Sequence, residues 1–162
     1  EQYDRLIKRY DIDDFHKPFT FFVPGFNLRS TDLQAFLGIR QIEKAPWVTQ
    51  RRYENHLAYA ENLSGHVEFQ NWYKNKPVSI SFGALADDNQ HRREIVKRLV
   101  QNGVETRIFS AGNLGLHPFW YERYGKFNDR ISNKIHSNGF FLPNYPELTL
   151  KEIQYICDIV KG

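Results

Sequence analysis

The stretch PGFNLRSTDLQAFLGIRQIEK, residues 24–44, opens the longest helical signal in the chain. Pro24 ends any upstream helix, and Gly25 lets the backbone turn tightly before it. Asn27 suits an Asx-type turn or a cap, and Ser30 or Thr31 can accept the first free helical N–H groups. Leu33, Phe36, Leu37, Arg40 and Gln41 then repeat at a helical period. Beyond Pro46, which predicts a kink or break, Tyr53, Leu57, Ala60 and Leu63 continue the stripe as far as residue 63. A helix of that length exceeds the width of a small domain, so part of it is expected to dock on something else.

Upstream, Tyr3, Leu6, Ile7 and Tyr10 predict a helix. FHKPFTFFVPGFN (15–27) follows, with Pro18 and Pro24 allowing only strand or loop. Phe19, Phe21, Phe22 and Phe26 there make an apolar patch suited to a core or a subunit contact. Downstream, VSISFGALA (78–86) alternates Val78, Ile80 and Phe82 with Ser79 and Ser81, as a half-buried strand does. Asp87, Asp88 or Asn89 caps a helix through Ile95, Val96, Leu99 and Val100, which stops at Asn102-Gly103. VETRIFS (104–110) predicts a strand, AGNLGLHPFW (111–120) an irregular loop, Phe127 to His136 a short helix, and NGFFLPN (138–144) a turn and strand. Thr149 with Glu152 forms a capping box, and Leu148 with Ile153 a hydrophobic staple, for a last helix running to Gly162. The sum is an α+β domain: a mostly antiparallel sheet covered by helices, preceded by a long helix.

Composition narrows the function classes. With 41% hydrophobic and 15% aromatic residues, the 162-residue chain can bury a core large enough to offset its ordering entropy. The net charge of +3 comes from basic residues interspersed with acidic ones, which is unlike a nucleic-acid face. No apolar run has membrane-spanning length, and the opening EQYDRLIKRY does not read as a signal peptide. Cys157 is the only cysteine, so no internal disulfide forms and a reducing, cytoplasmic setting is allowed; its apolar helical position predicts a core role. The six histidines show no metal-ligand spacing, and neither a phosphate loop nor a G-x-S-x-G elbow occurs.

Two blocks carry a resemblance. Residues 24–44 are similar to the Gly-aromatic-Asn-x-Arg … Asp-x-Gln-Ala … Gly block of the DegT–StrS family of pyridoxal-phosphate (PLP) enzymes, which aminate or dehydrate nucleotide-linked sugars. NGVETRIFSAGNL (102–114) and NKIHSNGFFLPNYPELTLKEIQYI (133–156) resemble that family's closing strand, Gly-Asn-Leu loop and final helix, in the same order. The resemblance covers the chain from about Phe15 to Val160. It implies the C-terminal part of a fold-type I subunit. Residues 1–30 would end the large domain and its dimer contact, 31–64 would connect, and 65–162 would form the small domain.

The same resemblance implies a homodimer with active sites built from both subunits, using PLP or its amine form (PMP) as an electron sink. The substrate would be a nucleotide-diphospho 4-keto-6-deoxy sugar, as in surface-polysaccharide or deoxysugar synthesis. Asn27 matches the family asparagine that reaches across the dimer to the cofactor phosphate. Arg29 would either add a charge-assisted bond to that phosphate or to the substrate's pyrophosphate, or pair with Asp32, and Gly25 would shape the turn. Asn113 and His117 lie on the loop that resembles the family's sugar-facing segment, where His117, close to Pro118 and Phe119, either touches substrate or is structural. The wording Gly112-Asn113-Leu114 leans toward the 3-dehydratase branch. The Schiff-base position is expected outside this chain, so no catalytic residue and no metal ligand is assigned. Two rival readings stand beside this one: a non-catalytic protein-interaction domain using the Phe-rich patch and the long helix, and, more weakly, a nucleic-acid binder.

Overall fold

Residues 2–13, 20, 22, 31–70 and 75–162 are described by a computed structural model of the chain. Gly25, Asn27, Arg29, Phe19, Phe21 and Phe26 lie outside them. The chain divides into two compact units, residues 1–40 and 41–162, with the boundary near the end of the second helix.

In the first unit, α1 (Gln2–Arg9) buries Ile7. The Phe22 ring meets Tyr3 edge-on at 5.6 Å and stacks on Tyr10 at 5.8 Å. Helix α2 (Asp32–Ile42) starts at a reciprocal cap: Thr31 N–H donates to Gln34 Oε1 at 2.9 Å, and Gln34 N–H donates to Thr31 Oγ1 at 3.3 Å. The apolar stripe read from sequence is present, but among the described residues nothing covers it. No residue of α2 is buried, and Leu33, Phe36, Leu37, Ile39 and Ile42 are each more than half exposed.

The stretch read as one helix with a kink or break is two helices. The chain turns at Glu43–Lys44 and resumes as α3 (Ala45–Leu63), with Pro46 in its first turn. There a proline's missing N–H has no helical partner to lose. The buried face of α3 is Asn55, His56, Tyr59 and Leu63. Of the expected stripe, Leu63 is buried and Ala60 packs against the core, but Leu57 is exposed, so the buried face is rotated toward Asn55, His56 and Tyr59. Aromatic stacking and polar clamping decide this. Tyr59 and His56 both lie 5.0 Å from the Phe82 ring, and Asn55 Nδ2 donates to Tyr145 O at 3.0 Å.

The sheet has four strands in the order β1 (Glu68–Phe69), β2 (Ser81–Leu85), β4 (Gly139–Pro143), β3 (Arg107–Ile108), all antiparallel. Alternation sets its two faces. Phe82 opposes Leu142, and Ala84 opposes Phe140, on the face turned to the core. Against that face pack side chains of α3, α4 (Asn89–Gln101) and α7 (Leu150–Lys161): Tyr59, Leu63, Ile95, Leu99, Ile153, Ile156 and Cys157. On the other face Phe109 stacks on Phe141 at 4.7 Å and crosses Gly83, where a Cβ would come within 2.5 Å of the ring.

Both strands read as long are shorter in space. The expected phase holds only from Phe82 onward, where Phe82, Ala84 and Ala86 are buried, whereas Val78 and Ile80 are exposed, Ile80 at 76%. The ladder stops where Ser81 meets Pro143, which has no N–H to extend it. In 104–110 only Arg107–Ile108 pair, because the chain turns away at once: Ser110 has φ +56° and Gly112 N–H closes on Phe109 O at 2.9 Å.

Helix ends follow their sequence signals. Asp88 caps α4 by accepting from His91 N–H at 2.8 Å, and Gly103, at φ +73°, ends it. Thr149 and Glu152 form the expected capping box of α7, with Leu148 and Ile153 both buried. At the far end, Arg98 donates to Ile159 O at 2.9 Å and Val160 O at 2.8 Å, satisfying carbonyls that the last turn leaves free. The structure thus has the α+β architecture expected, with an antiparallel sheet and helices over its core face.

Candidate functional site

The segment after β3 is held by several side-chain hydrogen bonds. It runs from Phe109 through a single 3-10 turn, Leu114–Leu116, into α5 (Pro118–Tyr124), a helix the sequence reading left as irregular loop. Pro118 occupies the first turn of α5, where its fixed φ favours a helix start. Asn113 and His117 bracket the 3-10 turn as its N-cap and C-cap.

Asn113 is 4% exposed, and its carboxamide is fully engaged. Oδ1 accepts from Gly115 N–H at 2.9 Å. Nδ2 donates to Phe127 O at 3.0 Å and to Asn133 Oδ1 at 2.7 Å. Its main-chain N–H donates to Nδ1 of His136 at 3.2 Å. His117 turns back on the loop, with Nε2 2.9 Å from Ala111 O. A carbonyl only accepts, so the neutral ring carries its proton on Nε2 and leaves Nδ1 as an acceptor. The structure therefore puts both predicted residues on one loop, and their side-chain donors are spent inside it. The surface they shape is a groove of about 460 Å³ lined by Gly112–Gly115, Trp120, Phe127 and Ser132.

Sequence reasoning missed the partners of this loop. Asn133 and His136 stand one turn apart on α6 (Arg130–Asn138), and that i,i+3 spacing was the available signal. Helix α6 is pinned at both ends. Asp129 caps it by accepting from Ser132 N–H at 2.8 Å, a bond that holds its carboxyl below the usual carboxylate range. At the other end Asn89 and Arg92 of α4 both donate to Ser137 O, at 2.8 and 3.1 Å.

A second hollow, about 560 Å³, lies between α6 and the open sheet face, bordered by Phe69, Gly83, Leu85, Phe109 and Ile131. Lys134 stands on its rim in an ion pair with Glu68. Every described lysine is solvent-exposed. A Schiff-base lysine works from an enclosed, partly desolvated position, which none of the described lysines has within this chain taken by itself. Cys157 is buried, and burial pushes its thiol up to about 11, which suits core packing rather than nucleophilic chemistry. Among the described residues no group of His, Cys, Asp and Glu is placed to hold a metal ion, and no helix is long and apolar enough to cross a membrane.

An antiparallel sheet with helices on its core face and a capped loop at its edge defines a class that comparison with known proteins makes specific. Residues 4–161 match the DegT/DnrJ/EryC1/StrS aminotransferase family, and the chain belongs to it. It is 26% identical to a GDP-4-keto-6-deoxy-D-mannose 3-dehydratase of Yersinia pseudotuberculosis, over 99% of this chain and 42% of that protein. It is 29% identical to the lipopolysaccharide biosynthesis protein RfbH of Salmonella typhimurium, over 96% of this chain and 36% of the relative. A solved GDP-4-keto-6-deoxymannose-3-dehydratase with a trapped PLP-glutamate geminal diamine shares the fold: TM-score 0.74, 23% identity, 93% of this chain and 40% of that one. The chain thus spans about two fifths of the length of the curated relatives it matches.

Proposed function

We propose that this chain is the C-terminal part of a PLP- or PMP-dependent enzyme acting on a nucleotide-diphospho 4-keto-6-deoxy sugar. Its reaction would be removal of the C3 hydroxyl or transfer of an amino group, within surface-polysaccharide or deoxysugar synthesis. The observation that carries this reading is the family match over residues 4–161, which takes in both sequence blocks in order. The curated relatives include 3-dehydratases and a GDP-perosamine synthase, consistent with either reaction. Within a cytoplasmic homodimer, residues 1–30 complete the large domain and dimer contact, 31–64 connect, and 65–162 form the small domain. Gly25, Asn27 and Arg29 serve the neighbouring subunit's cofactor. The loop bearing Asn113 and His117 faces the sugar, with Asn113 acting through the loop shape it fixes. The Schiff-base residue comes from outside this chain.

Asn27 supplies the test. Asn27→Ala in the full-length protein should weaken PLP or PMP retention about tenfold to hundredfold, the worth of one hydrogen bond to a charged group. Melting of the 162-residue chain should be unchanged. Because the contact crosses the dimer, activity should return in mixed dimers that pair Asn27→Ala with a subunit lacking only the Schiff-base residue, since one site is then complete. A destabilised chain with silent hybrids would mean that Asn27 is a local turn residue. The observation favouring the rival interaction-domain reading is the apolar face of α2, which nothing among the described residues covers. That reading predicts no cofactor retention by the full-length protein at all.

A further inference from the structure

Resting on that reading of the Gly112–His117 loop, we propose that Asn133 and His136 of α6 are positioning residues for the substrate-facing loop: together they fix Asn113, and through it the backbone that meets the sugar. Three observations converge on this pair. Asn133 Oδ1 takes one of the two carboxamide N–H groups of Asn113 at 2.7 Å, the shorter of that group's two bonds. His136 Nδ1 takes the Asn113 main-chain N–H, although the ring is otherwise exposed. Gly112 is shaped for the same ring. Its φ is +66°, and a Cβ there would lie 2.3 Å from His136 Nδ1, so the imidazole sits against a bare Cα.

The arrangement has a mechanical logic. Asn113 is buried, so its donors need partners, and both partners from α6 come from one helix face a turn apart. That helix is tied to α4 through Ser137 O, and to the turn before α4 through Asn138, which donates to Asp87 O at 3.1 Å. A loop whose main chain is to meet a polar sugar must be held within a fraction of an ångström, and such precision comes from supports on rigid elements. Leu114, Trp120 and Phe127, partly or largely exposed around the groove, gain a defined placement from the same anchor.

The experiment uses the full-length protein in two measurements. Amide hydrogen exchange of residues 110–117 is read without substrate, and KM and kcat are read with a nucleotide-diphospho 4-keto-6-deoxy sugar. His136→Leu removes the acceptor at similar bulk, and Asn133→Ala strands a buried donor. His136→Asn and Asn133→Asp are the rescue variants, since each returns an acceptor oxygen near the original atom. Losing one acceptor should speed exchange in the loop about fivefold for His136→Leu and about tenfold or more for Asn133→Ala. Exchange in β2, β4 and α7 should stay unchanged. KM should rise by a similar factor with cofactor content intact, and both rescue variants should restore it. Unchanged loop exchange in both deletion variants would overturn the proposal and leave the enzyme assignment standing. Faster exchange with unchanged KM would overturn it differently, by showing that the loop does not face the substrate. A wild-type protein that holds cofactor in neither form and turns over no such sugar would defeat the underlying reading, and the proposal with it.

Discussion

His56 and Tyr59 sit a turn apart on α3, Tyr59 stacked on Phe82 and His56 tilted against the same ring, and both bring polar atoms into the core. Among the described residues His56 Nδ1 and Tyr59 OH are buried without hydrogen-bond partners. The cost of an unpartnered buried polar atom is about 1–3 kcal/mol, so the packing of these rings must offset it. For His56 the consequence is a pH dependence. Burial lowers its pKa from the ordinary 6.5, so the folded state holds the proton less tightly than the unfolded chain. The contribution of neutral His56 is therefore complete above about pH 6.5 and is progressively lost as the pH falls through the lowered folded value. Melting temperature should drop on acidification across that window. His56→Phe, which keeps an aromatic ring on Phe82 but cannot take a proton, should flatten the drop. A variant whose melting temperature falls as steeply as the parent's would assign the acid sensitivity to another group.

Among the elements, α7 is the best specified. It has a cap, a staple, a buried face of Ile153, Ile156, Cys157 and Val160, and carbonyls closed by Arg98. Its start is further held from α3: Arg51 donates to Leu148 O at 2.8 Å while paired with Glu54 at 2.5 Å. Thr149→Ala should destabilise the chain by about 1 kcal/mol through loss of the cap. A denaturant titration would reveal it as a lower midpoint at constant slope. An unchanged midpoint would show that Arg51 and Asn55 already fix the segment and that the threonine is dispensable. Helix α2 is the contrasting case. Its reciprocal Thr31–Gln34 cap defines where it begins, yet nothing in the described residues buries its stripe. Cap and periodicity are local properties, whereas burial depends on what stands opposite.

At the scale of the molecule, the second unit has a continuous core of its own, and the proposed chemistry needs residues beyond it. The 162-residue chain incubated with PLP and reduced with borohydride should therefore carry no stoichiometric adduct on a single lysine, as read by mass spectrometry of the digest. A single fully labelled lysine would place the Schiff-base residue within this chain. The features legible in the sequence were those carried by neighbouring residues: the cap at Thr149, the caps at Thr31 and Asp88 to within a residue, the stop at Gly103, the inward phase of Phe82, and the core position of Cys157. The two family blocks were legible for a related reason, because their spacing along the chain is itself the signal. Tertiary structure alone decided which face of α3 is buried, since Asn55 and His56 look solvent-facing until Tyr145 O and Phe82 stand beside them. It also decided the short ladders, because Pro143 ends a partner strand that sequence cannot align to Ser81. The same holds for the candidate loop. Asn113 was legible as a residue of interest, but its anchoring by Asn133 and His136 joins positions twenty and twenty-three residues away. Local propensity acts over a turn of helix or a few strand residues, while hydrogen bonds of that reach exist only after the chain has folded back on itself.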